Sequence, residues 1–293
     1  MSWFTYQGHN CFLLACSRGE NEIVKYLSES SPELINSVDV HNNSGLHLAS
    51  YNGNLGTFKL LIEELNFNPS VEGCIGFNSF LYACLSGSTE IVKYVGKQFP
   101  KLINSTYDRT VNAIGHANGL HVASVYGHLE TVTFMIEELD MDPFKNNSGY
   151  NSFLCACNGE NTKKMDGNSK IVKYLNNKFP ELKNSVDVDG MNGLHYASGS
   201  GNLKLVKFLI DELKFDPAVE DYHLKNSFFQ ACKAERVKIV NFFAENYSTF
   251  KNCSTEYHTY DHRKSPPYAY DSSYYAFNPV LRNGFWTLVV SHI

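Results

Sequence analysis

The sequence predicts an all-α fold: a solenoid of about seven helix–turn–helix repeats, followed by a short segment without repeats. Three observations carry this expectation. A spacing of 33–34 residues recurs along the chain, an alanine returns at one position of every copy, and a glycine follows a few residues later. Self-similarity at such a period marks stacked units, each too small to bury an apolar face alone.

Two patterns alternate. One reads Gly-x-Asn-x-Phe-Leu-x-Ala-Cys and continues into an Ile-Val-Lys-Tyr segment; it opens at Gly8, Gly76 and Gly149, with a degraded copy from Leu224. The other centres on Gly-Leu-His-x-Ala-Ser, at Leu46, Leu120 and Leu194. An Asn or Ser precedes each first helix, at Asn10, Ser44, Asn78, Asn118, Asn151, Asn192 and Asn226; these anchors lie 34, 34, 40, 33, 41 and 34 residues apart. Asn and Ser suit an N-cap, where a side-chain oxygen accepts from backbone N–H groups that the helix leaves free.

Five residues after each anchor stand Ala15, Ala49, Ala83, Ala123, Ala156, Ala197 and Ala231. A methyl group in every copy implies first helices packed too closely for anything larger. The next position alternates between Cys16, Cys84, Cys157, Cys232 and Ser50, Ser124, Ser198. Gly19, Gly53, Gly87, Gly127, Gly167 and Gly201 are then expected to end the first helix, since glycine tolerates the positive φ of a helix stop; Glu235 breaks that column. The second helix carries an apolar stripe at helical spacing, such as Ile23, Val24, Leu27 and Leu205, Val206, Leu209.

The two long spacings place insertions, one in the loop through Asp108, Arg109, Thr110, Val111 and Asn112, the other at 160–166. The array is therefore expected to cover residues 1–250, with repeats starting near 5, 39, 73, 113, 146, 187 and 221. A Tyr-rich tail without repeats covers 251–293, and the sequence leaves it three roles: to cap the last repeat over Phe242 and Phe243, to dock a partner, or to be disordered up to its apolar end.

The period, together with Leu46-His47-Leu48-Ala49-Ser50 and its copies at Leu120 and Leu194, resembles the ankyrin repeat. Asp39, Asp187 and Asp221 match the aspartate that opens that family's repeat. The resemblance spans roughly residues 5–250. Departures are the Gly or Ser at 45, 79, 119, 152, 193 and 227 where the family has Pro, and Leu13, Leu81, Leu154 and Phe229 where it has His. For His47, His121 and His195 the resemblance implies a structural role, hydrogen-bonding within or between repeats.

Composition argues against several functions. The chain of 293 residues has 43% hydrophobic residues and a formal net charge of -5, from 30 acidic and 25 basic side chains. That balance suggests no nucleic-acid or anionic-membrane partner. No run reaches the roughly 18 apolar residues of a membrane span, and the first residues show no basic signal-peptide start. The expected location is cytoplasmic, with reduced thiols.

No phosphate-binding loop, dinucleotide fingerprint, nucleophile elbow or kinase signature is present, so no catalytic residue, cofactor, metal or small-molecule substrate is expected. The recurring histidines lie too far apart to share a metal. The cysteine column reads as small and buried, and no Cys-x2-Cys pair exists for zinc. His258 and His262 have the spacing of a metal pair but lack a zincin glutamate.

What remains is surface. The expectation is a non-catalytic scaffold that binds another protein through its concave face; the alternative is a structural subunit of a larger assembly, attached through the tail. As the resemblance implies, contacts come from loop tips and the exposed ends of first helices. Those positions include His41, Asn43, Asn52, Met191 and His223, and the partner contacts expected among them are Tyr51, Phe77, Leu85, Val125, Tyr126, Tyr150 and Tyr222. Aromatic and apolar anchors dominate interface energetics.

Overall fold

The structure, a computed structural model, describes residues 8–73, 76–107, 117–144, 149–159 and 165–251. Its helices run in pairs: α1 (Cys11–Arg18) with α2 (Asn21–Ser30), α3 (Gly45–Tyr51) with α4 (Leu55–Glu63), and α5 (Ser79–Ser86) with α6 (Thr89–Gln98). Then follow α7 (Gly119–Val125) with α8 (Leu129–Glu137), α9 (Ser152–Cys157) with α10 (Met165–Lys178), α11 (Gly193–Ser200) with α12 (Leu203–Asp211), and α13 (Ser227–Lys233) with α14 (Val237–Asn246). A short α15 (Ser248–Lys251) closes the described chain. Each first helix packs on the first helix of the next pair, so the pairs form a row. One hydrophobic cluster runs from Phe12 to Phe250.

The anchors do what their chemistry requires. The side chains of Asn10, Asn78, Asn118, Asn151, Asn192 and Asn226 accept from backbone N–H groups in the first turn of their helices. The amides of Asn10, Asn78 and Asn151 also donate to Ser37, Ser105 and Ser185, at 2.6 to 2.7 Å. This ties each helix start to the exit of its own repeat. In the other repeat type the histidine completes the cap. His47 Nδ1 accepts from the Ser44 backbone N–H at 3.0 Å, and His47 Nε2 donates to the Val71 carbonyl at 2.8 Å. His195 does the same with Asn192 N–H at 3.2 Å and the Lys225 carbonyl at 3.1 Å.

Between pairs the chain forms short fingers. Asp39 Oδ1 accepts from the backbone of His41 and Asn43, Asp187 Oδ1 from Asp189 and Met191, and Asp221 Oδ1 from His223 and Lys225. Single bridges Val38–Ser44, Val186–Asn192 and Glu220–Asn226 close these fingers. In the lengthened copy the closure is an antiparallel pair, β1 (Thr106–Tyr107) with β2 (Ala117–Asn118). Residues Asp108 to Asn112 of the first insertion lie outside the described ones, as do residues 160–164 of the second insertion.

A further set of bonds, invisible as a sequence column, ties four of the repeats to the one before. Side chains at the start of the second helix reach back to carbonyls at the end of the preceding first helix, which no intrahelical donor satisfies. Asn54 donates to Ser17 at 2.8 Å, His128 to Leu85 at 2.9 Å, Asn168 to Ser124 at 2.8 Å, and Arg236 to Gly199 at 2.7 Å. The glycine column has a second purpose here: a Cβ at Gly87 would stand 1.9 Å from the His128 ring.

The column is also where the sequence misleads. Gly167 does not end a first helix. It lies inside α10, where a Cβ would meet the Gly127 carbonyl oxygen at 2.2 Å, and α9 ends instead at Asn158. The second insertion separates the stop from the glycine that matches it in register. Ile23 departs as well. It is 48% exposed, whereas its counterparts Ile91, Ile171, Leu205 and Ile239 are fully buried against the preceding repeat.

At the other end Phe243 is covered, as the sequence suggests, but by residues before the tail. Phe250 stacks on Phe228 at 5.1 Å and meets the Phe243 ring edge-on at 5.7 Å. The tail itself lies outside the described residues, including Tyr257, His258, His262 and 284–293.

Three outcomes follow from this architecture. Ala123 is fully buried in α7, which packs on α5 and α9, so Ala123→Leu overpacks the interior and should cost about 1–3 kcal/mol, read as a lower denaturant midpoint. Glu235 takes φ 56, a conformation that costs a residue with Cβ about 1 kcal/mol; Glu235→Gly should raise the midpoint by a similar amount. Burial holds the imidazoles of His47 and His195 below the usual 6.5 despite their carbonyl partners. The unfolded chain then takes up more protons than the folded one below that value. Stability should be complete above about pH 6.5 and fall as the pH drops from there toward the folded-state values. A His47→Gln/His195→Gln variant should show a flatter midpoint profile between about pH 7 and pH 5.

Candidate functional site

The fingers and the C-terminal ends of the first helices form one face of the row. Tyr51 ends α3, Leu85 lies in the last turn of α5, Val125 ends α7, and Tyr126 is the residue that caps it. Because α3, α5 and α7 stack in sequence, these side chains occupy matching positions on three successive repeats. Tyr51 is 51% exposed, and Leu85, Val125 and Tyr126 are half-buried, packed against the core with part of their surface open. Tyr222 stands in the last finger, 72% exposed, with its backbone N–H donating to the Asp189 carbonyl of the preceding finger at 2.8 Å.

Two expected contacts are corrected. Phe77 is 4% exposed and Tyr150 3% exposed. Both stand immediately before an N-cap, where the finger joins its helix, and that junction is turned inward. Phe77 packs edge-to-face on Tyr82 at 5.4 Å and on Tyr107 at 4.5 Å; Tyr150 packs on Tyr196 at 4.9 Å. They support the face from behind instead of presenting themselves on it. Asn43 is likewise buried, donating to Asp39 Oδ2 at 3.1 Å and accepting from the Tyr82 hydroxyl at 2.6 Å.

Tyr82 and Tyr196 are the residues that the sequence reading missed. They occupy the position four after the anchor, shared with Leu14, Leu48, Val122, Cys155 and Gln230. Tyr82 brings the fingers and helices of two repeats together: besides Asn43 it meets His47 at 5.4 Å and Tyr51 at 6.3 Å. The Tyr196 hydroxyl donates to Asp187. A tyrosine immediately before the alanine column was the available signal.

The titratable groups nearby are tied into the scaffold. Burial pushes the Cys16 thiol up to about 12 and likewise raises Cys84, Cys155 and Cys157, so these are neutral packing groups. Burial also raises the Tyr196 hydroxyl, with the neighbouring Asp187 adding to the shift. Among the described residues no group of three or more His, Cys, Asp or Glu is placed to hold a metal ion, and no helix is long and apolar enough to cross a membrane. What this face offers is contact: aromatic and aliphatic surface held by backbone and side-chain hydrogen bonds.

Comparison with known proteins bears on the fold and on the class of activity. A family model for ankyrin repeats (three copies) matches residues 12–101 and 162–254. The chain is 30% identical over 93 residues to the mouse (Mus musculus) protein fem-1 homolog A-like, a match covering 32% of this chain and 14% of that protein. It is 27% identical over 133 residues to the E3 ubiquitin-protein ligase XBAT32 of Arabidopsis thaliana, covering 45% of this chain and 23% of that protein. The matched stretches thus span less than a quarter of these relatives. The crystal structure of the human ASB11 ankyrin repeat domain superposes with a TM-score of 0.56 at 18% identity, covering 76% of this chain and 92% of that one. The match to the family model extends over more than half of the chain, and paired helices, capping histidines and aspartate-held fingers accompany it: the chain belongs to the ankyrin repeat family.

Proposed function

We propose that the protein is a non-catalytic scaffold that binds a partner protein along the concave face of its array, with Tyr51, Leu85, Val125 and Tyr126 as the central anchors and Tyr222 as an outlying one. Ankyrin repeats generally mediate protein–protein interaction. The observation that carries the reading for this chain is the row of partly exposed aromatic and aliphatic side chains on α3, α5 and α7. A surface already fixed by its own hydrogen bonds loses little conformational entropy on binding, which favours such anchors. The partner's complementary surface is apolar at its centre, to receive Tyr51 and Tyr126, and polar at its rim.

The experiment is affinity capture of partners, followed by measurement with a double variant, Tyr51→Ala/Tyr126→Ala. Helicity and melting should match the parent chain, since neither side chain is wholly buried. Binding should weaken by about 2 kcal/mol or more, the usual loss on truncating a hot-spot anchor. Unchanged affinity in a well-folded double variant would move the site off this face.

A further inference from the structure

The alternation of two repeat types builds two kinds of joint. Where a Gly-Leu-His repeat follows a Phe-Leu-x-Ala-Cys repeat, a glycine backbone meets a phenylalanine and a cysteine. A Cβ at Gly45 would stand 2.7 Å from Cys16 Sγ and 3.2 Å from the Phe12 ring. At Gly119 the distances are 2.8 Å to Cys84 Sγ and 2.6 Å to Phe80, and at Gly193 both Cys157 Sγ and Phe153 lie at 2.9 Å. Large groups on one side and none on the other give a dry, closely fitted contact.

At the alternate joints the same two positions are both serine: Ser50 with Ser79, Ser124 with Ser152, and Ser198 with Ser227. All six are fully buried. At the α3/α5 joint their hydroxyls are satisfied, Ser50 donating to the Leu46 carbonyl at 2.9 Å and Ser79 to the Pro69 carbonyl at 2.8 Å. At the α7/α9 and α11/α13 joints the hydroxyls of Ser124, Ser152, Ser198 and Ser227 have no hydrogen-bond partner. A buried hydroxyl without a partner forfeits its hydration with no return, so any opening that admits water relieves it.

We propose that the array is jointed, opening at α7/α9 and α11/α13 while the glycine–cysteine joints hold their two repeats together as rigid pairs. The described helices then move as three bodies: α1 to α8 with four helix pairs, α9 to α12 with two, and α13 to α15 with the last pair. Tyr51, Leu85, Val125 and Tyr126 all sit on the first body, so their mutual geometry is fixed. Tyr222 sits on the third, and opening at α11/α13 breaks its backbone bond to Asp189, along with the bonds of Arg236 to Gly199 and His195 to Lys225, and changes its distance from the four on the first body. Nothing in this inference depends on which face binds a partner.

The test is native-state hydrogen exchange on the full chain and on three serine-to-alanine pairs. The same substitution should have opposite effects at different joints. Ser198→Ala/Ser227→Ala removes two orphaned hydroxyls, so the amides of α13 and α14 should exchange roughly tenfold more slowly. Ser124→Ala/Ser152→Ala should slow α9 and α10 in the same way. Ser50→Ala/Ser79→Ala removes satisfied hydroxyls and should leave α3 and α5 exchanging faster or unchanged. That third pair also accounts for the general preference of helices for alanine, which acts equally in all three. Faster or unaltered exchange of α13 and α14 in the Ser198/Ser227 pair would overturn the proposal. So would equal slowing in all three pairs.

Discussion

Seven alanines, from Ala15 to Ala231, stand at one helical position, and each is buried in a first helix that packs on the first helix of a neighbouring repeat. The close approach they permit is the constraint to which the other columns answer. Once neighbouring helices are this near, the facing residue at the helix start has room for no more than a hydrogen or a hydroxymethyl group, which explains Gly45, Ser79, Gly119, Ser152, Gly193 and Ser227. Its counterpart must compensate in size, so cysteine and phenylalanine face glycine while serine and leucine face serine. The two-repeat alternation in the sequence is thus a record of paired volumes across each joint, as dense interior packing demands.

Close packing alone would leave helix ends unsatisfied, and short helices have proportionally many such ends. The protein solves this with three sets of polar contacts. Anchor asparagines cap helix starts, histidines bind both the cap and the following finger, and Asn54, His128, Asn168 and Arg236 reach back to cap the preceding helix end. The histidine and reach-back sets cross to the neighbouring repeat, so a repeat is completed only with its neighbours in place. The outer helices add a weaker tie: Lys59 lies over Tyr94, Lys93 over Phe134, Lys173 over Phe208, and Lys207 over Phe242. Each such contact between exposed groups is worth about 0.5–1 kcal/mol. The face proposed for binding inherits its rigidity from these bonds.

The fold was legible because its determinants are periodic. The alanine column, the N-cap anchors and the apolar stripes repeat at one spacing, and the structure places them where that spacing implies. The misplacement of Gly167 arose where the period itself was interrupted. The site was less legible because exposure is decided locally. Phe77 and Tyr150 sit one residue before an N-cap, and nothing in their identity says that the finger turns them inward. Tyr82 was hidden for the opposite reason: apart from Tyr196, its column holds leucine, valine, cysteine and glutamine, and its contacts with Asn43, His47 and Tyr51 are what make it the residue joining finger to helix. The reach-back side chains share a hydrogen-bonding task but no common residue type, so no column announced them.

The central claim is that a partner protein lies against the fingers and the first helices of the second to fourth repeats. Hydrogen exchange of the chain with and without its captured partner tests this directly. The account predicts slower exchange on binding in residues 39–53, 76–87 and 117–127, with α4, α6 and α8 unaffected. Protection confined to those second helices, or to residues beyond 251, would contradict it.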